Sequence, residues 1–103
     1  MDQNIIEIAK RFAEKVKNYM PVKMVVLYGS HVKGSVDEYS DIDIAVVVDK
    51  VEGDYLKISA ELFNFVRSIN KKIEPILLST DKDRSGFLES ILKHGEVVYK
   101  SEG

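Results

Sequence analysis

Over residues 2–18 apolar positions recur at helical spacing. Ile5, Ile8, Ala9, Phe12, Ala13 and Val16 fall on one side, and Glu7, Lys10, Arg11, Glu14 and Lys15 on the other. This period predicts an amphipathic helix with Asp2 or Asn4 as its cap. The pattern changes after Pro21. Residues 22–28 are apolar and rich in valine, and predict a strand that stops at Gly29. Residues 30–33 allow one helical turn closed by Gly34, and a polar, loop-like stretch runs from 35 to 40. Residues 41–48 then read Asp-Ile-Asp-Ile-Ala-Val-Val-Val, too apolar on both faces for a strand with one wet side.

A connection holding Gly53 leads to a second amphipathic helix over residues 55–70, carried by Leu56, Ile58, Leu62, Phe63, Val66 and Ile69. Residues 73–78 predict a third strand. Its Pro75 cannot donate to a ladder, which places it at a strand start or a sheet edge. Phe87, Leu88, Ile91 and Leu92 mark a last helix that ends at His94-Gly95, where glycine suits a left-handed cap. Residues 97–99 form a short final strand. The order α-β-β-α-β-α-β predicts an α+β fold, a two-layer α/β arrangement with a small mixed sheet and helices packed mainly on one face.

Composition narrows the choice of function. One domain over residues 1–103 suits the length of 103 residues, and 45% hydrophobic with 31% charged residues is ordinary for a soluble protein. Fifteen basic against seventeen acidic residues give a formal charge of −2, which argues against strong nucleic-acid or membrane-surface binding. Absence of cysteine excludes disulfides, thiolate metal sites and thiol nucleophiles. No stretch has the length and apolarity of a membrane span or a signal peptide, so a cytoplasmic location is expected.

Asp41 and Asp43 stand where a buried strand begins. Side chains two apart on a strand share a face, with Cα atoms about 6.6 Å apart at a rise of about 3.3 Å per residue. Two like charges about 5 Å apart repel by roughly 3 kcal/mol at an effective dielectric of about 20. A cation between them removes that cost, and hard oxygen ligands without sulfur favour Mg²⁺ or Mn²⁺. Asp-x-Asp alone is common, and taken by itself the pair reads first as two solvated acids. The calcium-loop pattern fails, since positions 45 and 46 are alanine and valine.

Gly29-Ser30, at the end of one strand and the start of a helical turn, offers free N–H groups and a hydroxyl to an anion, and Lys33 lies about a turn further on. The plain alternative is a strand-to-helix turn capped by Ser30. Gly29 and Gly34 have Walker A spacing, but Ser35 replaces the lysine that a P-loop needs.

Together, Leu27-Tyr28-Gly29-Ser30-His31-Val32-Lys33-Gly34 and Ser40-Asp41-Ile42-Asp43-Ile44-Ala45-Val46 resemble the signature of the DNA polymerase β-like nucleotidyltransferases. More narrowly they resemble the minimal nucleotidyltransferases, or MNT proteins, the antitoxins paired with HEPN-domain toxins in prokaryotes. Lys33 stands where arginine is more usual. The resemblance runs the length of the chain and implies two Mg²⁺ ions held by three carboxylates, with Asp41 and Asp43 as the first two. Glu74, ahead of Pro75 on the third strand, is the acid placed to be the third, where many relatives use aspartate. Gly29, Ser30 and Lys33 would position the triphosphate.

The implied reaction is transfer of AMP from ATP to a hydroxyl, with tyrosine of a HEPN partner as acceptor, so that the partner is neutralised. Because the chain ends soon after its last strand, the acceptor is expected on another protein, with which this one could form an oligomer. The alternative is an antitoxin with weak or lost catalysis that neutralises by contact alone. His31, His94, the tyrosines and the Asp81-Lys82-Asp83-Arg84 run are read as loop, capping, packing and solvated-turn residues.

Overall fold

The computed structural model describes residues 2–34, 40–83 and 85–102, and leaves the side chain of Lys33 undescribed. The expected polar loop at 35–39 therefore lies outside the described residues, as does Arg84. Helix α1 (Gln3–Tyr19) is followed by β1 (Met24–Tyr28), the single-turn α2 (Ser30–Lys33) and β2 (Ile42–Val48). Helix α3 (Tyr55–Ile69), strand β3 (Ile73–Ser79), a 3₁₀ turn at Thr80–Lys82, helix α4 (Phe87–His94) and β4 (Glu96–Lys100) complete the order. Both long helices begin on an aspartate. Asp2 accepts from the Asn4 N–H at 2.9 Å, and Asp54 accepts from those of Leu56 and Lys57 at 2.9 and 3.3 Å, satisfying N–H groups that lack a partner within the helix.

The four strands form one mixed sheet in the order β3-β2-β1-β4. β1 runs antiparallel to β2 and to β4, whereas β2 and β3 are parallel and joined by the α3 crossover. β3 is an edge strand, which is where a proline at its third position is tolerated. Alternation sorts the side chains into two layers. Ile42, Ile44, Val46 and Val48 join Val25 and Leu27 against Phe12 and Val16 of α1 and Leu62 and Val66 of α3. Ala45, Val47, Met24 and Val26 point the other way and meet only Leu88 and Ile91 of α4 among the described buried residues. The α+β fold with helices mainly on one face is as expected from the sequence. No helix among the described residues is long and apolar enough to cross a membrane.

Two expectations need correction. β2 begins at Ile42, so Asp41 precedes the ladder instead of opening it. Gly95 is extended (φ −89°, ψ 176°), not left-handed. Its role is close approach: a Cβ there would lie 2.6 Å from the Ile91 carbonyl oxygen and 2.6 Å from Val26 Cγ1. The glycine lets the last turn of α4 press directly onto β1.

Candidate active site

The carboxylates gather at the end of the sheet where β1 finishes and β2 begins. Register aligns them. Tyr28 of β1 is paired with Asp43 of β2, and Asp43 is paired with Glu74 of β3, so the three side chains form a row on one face. That face is the α4 side, because Asp43 alternates with the inward Ile42 and Ile44. Asp43 is half-buried, while Asp41 and Glu74 are exposed.

Gly29 ends β1 in a conformation of positive φ (81°, with ψ −147°), which L side chains rarely adopt. The space where its Cβ would be is filled by Asp43: Oδ2 lies 2.3 Å from that point. Only glycine leaves room for this carboxylate to rest against the turn. Ser30 then starts α2, the Val32 N–H donates to the Gly29 carbonyl at 3.1 Å, and Gly34 closes the turn in the left-handed region. Thus the Gly-Ser half and the Asp-x-Asp half of the sequence pattern touch, at Gly29 and Asp43.

The electrostatics are those of crowded anions. Burial, then Asp41, then Glu74 push the Asp43 carboxyl above the ordinary carboxylate range, and His31 acts in the opposite sense. Burial, Asp43 and Glu74 likewise raise the Tyr28 phenol. His31 is half-buried on α2, and its Nε2 is buried without a hydrogen-bond partner among the described residues.

These donors suit a hard divalent cation: carboxylate oxygens at a site where negative charge is already unfavourable. Among the described residues no three acidic or imidazole side chains converge to ligand spacing, so the set is open, with the exposed Asp41 and Glu74 having room to turn. Two clefts of about 540 and 650 Å³ lie at the other end of the sheet, one around Lys50, Tyr55 and Asp81, the other around Lys23, Asp49 and Tyr99. Neither includes the carboxylates. Size and chemistry disagree here, and the chemistry locates the candidate site, because carboxylates that hold a cation need no deep cavity.

Sequence reasoning passed over Tyr28 and His31. Tyr28 looked like a packing residue because a single tyrosine at a strand end carries no chemical signal; only the register places it beside Asp43. The signal for His31 was its position between Ser30 and the second glycine of the motif.

A row of acids beside a glycine turn makes this end of the sheet the candidate site. The chain belongs to the polymerase β nucleotidyltransferase family, whose profile matches residues 4–102. A Methanocaldococcus jannaschii protein provisionally named a protein adenylyltransferase is 34% identical over 80 residues, covering 76% of this chain and 79% of that protein. A Sulfolobus solfataricus structure provisionally named a nucleotidyltransferase superposes with a TM-score of 0.69 at 23% identity, covering 96% of this chain and 83% of the other. A toxin–antitoxin structure with AMP-PNP gives a TM-score of 0.61 at 18% identity, over 90% and 74%. At these identities the structural likeness concerns the fold.

Proposed function

We propose that this protein is a Mg²⁺-dependent adenylyltransferase that moves AMP from ATP to a tyrosine hydroxyl of a HEPN-type toxin and so neutralises it. The observation that carries the reading is the alignment of Asp43 with Glu74 across β2 and β3, with the Asp43 carboxylate seated on Gly29. The provisional naming of the M. jannaschii relative and the AMP-PNP of the toxin–antitoxin neighbour support adenylyl transfer and a protein partner.

Asp41, Asp43 and Glu74 would hold two Mg²⁺ ions, which supply charge neutralisation on the triphosphate and lower the pKa of the acceptor hydroxyl. The chain's own residues do the rest. The Gly29-Ser30 turn and Lys33 bind the β- and γ-phosphates through N–H, hydroxyl and ammonium donors. Asp43, fixed against Gly29, sets the position of the α-phosphate. Glu74, at the sheet edge, lies toward the acceptor and takes the hydroxyl proton. The acceptor oxygen bonds to the α-phosphorus, the bond to the bridging α–β oxygen breaks, and pyrophosphate leaves.

Intact-mass spectrometry of proteins that co-purify with the chain, after incubation with ATP and Mg²⁺, tests this. The expected result is an AMP adduct on a partner tyrosine, lost with Asp41→Asn or Asp43→Asn. Labelling unchanged in both variants would remove the assignment of the site. Full neutralisation of the partner by the double variant, without an adduct, would point to an antitoxin acting by contact.

A further inference from the structure

We propose that Phe87, braced by Tyr28, is the ledge on which the base of the nucleotide stacks; the inference rests on the carboxylate end being the nucleotidyl-transfer site. Tyr28 is the residue directly before the Gly29 turn and the register partner of Asp43, so its ring borders both. Phe87 meets that ring edge to face, with centroids 6.0 Å apart and planes at 87°. Although it opens α4 over the sheet, Phe87 remains 40% exposed. An open aromatic ring therefore stands one ring away from the acids, in a geometry that aromatic pairs prefer.

The ledge is firmly held. At the start of α4 the Phe87 N–H faces Ser85 Oγ at 3.4 Å, while those of Leu88 and Glu89 donate to the two oxygens of Asp83 at 3.1 and 3.2 Å. The Ser90 N–H closes the first turn on the Gly86 carbonyl at 3.0 Å. Three of the N–H groups that a helix start leaves without partners, those of Phe87, Leu88 and Glu89, are thus met by side chains, and Phe87 is fixed in place rather than frayed.

The ledge stands against Tyr28 of β1, the strand that feeds the phosphate turn. A nucleotide with its phosphates on Gly29-Ser30 has the Tyr28–Phe87 pair beside it. Stacking on one aromatic face tolerates any base, so the ledge contributes affinity more than choice of base.

Calorimetric titration of the full chain with Mg²⁺·ATP and, separately, with Mg²⁺·tripolyphosphate separates the base from the phosphates. Phe87→Ala is expected to weaken ATP binding roughly ten-fold, the size of one base–aromatic stack, and to leave tripolyphosphate unchanged. Phe87→Tyr should restore ATP binding. Leu92→Ala, on the same helix and equally exposed at 40%, should leave both ligands unaffected. Equal ATP affinity in Phe87→Ala, equal loss for both ligands, or a matching loss in Leu92→Ala would overturn the ledge. Failure of the unaltered chain to bind either ligand would instead remove the nucleotidyl-transfer reading, and the ledge with it.

Discussion

The two faces of the sheet are built to different ends. On one, α1 and α3 cover Ile42, Ile44, Val46, Val25 and Leu27, and Phe12, Leu27 and Ile44 have no exposed surface. On the other, the eight-residue α4 covers Met24, Val26, Ala45 and Val47 and leaves the carboxylate row open. The first face is where burial of apolar area holds the fold together. The second carries a carboxylate whose charge opposes folding, since burial first, and then Asp41 and Glu74, push the Asp43 carboxyl up. A single strand, β2, serves both by alternation.

The largest expected effect is on the closed face. Phe12→Ala should lower the unfolding free energy by about 3–5 kcal/mol in urea titrations, because close packing leaves a cavity that cannot collapse. Next comes Gly29→Ala, at the junction of the two faces. A side chain at φ 81°, ψ −147° costs about 1–3 kcal/mol, and its Cβ drives the Asp43 carboxylate off the turn. Stability and adenylyl transfer should fall together, the latter by roughly ten-fold or more if reacting groups are misplaced by an ångström. Smaller still is Asp83→Ala on the open face, at about 0.5–2 kcal/mol for a lost helix cap. Hydrogen exchange should quicken at the Leu88 and Glu89 amides with little change in α1. An equal response in α1 would mean that the faces are not separable in this way.

Much of this division was legible in the sequence. The period of α1 and the apolar run of β2 specified the layers, since both follow from how side chains alternate. Pro75 marked a strand start or a sheet edge for lack of a donor, and β3 is an edge strand. The contact between Gly29 and Asp43 was not legible, because the two residues are joined by register across β1 and β2 rather than by local spacing. Tyr28 was missed for the same reason. The extended Gly95 was misjudged because a glycine after a helix signals either a left-handed cap or a close approach, and only the packing of α4 on β1 distinguishes them.

Titration gives a smaller effect of predictable sign. The folded state holds the Asp43 proton more tightly than the unfolded chain does, so the contribution of this group to stability falls as pH rises from the ordinary carboxylate range through the raised folded value. Asp43→Asn should abolish that slope and leave the protein slightly more stable than the parent at neutral pH, as judged by thermal unfolding between acid and neutral pH.

On the proposed function, the open face gives up stability to hold a metal-bound nucleotide. The most direct test is thermal unfolding of the parent and of Asp43→Asn at neutral pH, each with and without Mg²⁺·ATP. Binding to the native state alone raises Tm. A higher Tm is expected for Asp43→Asn without ligand, with a ligand-dependent rise in the parent that the variant lacks. A variant less stable than the parent without ligand, or one that keeps the full Mg²⁺·ATP rise, would contradict it.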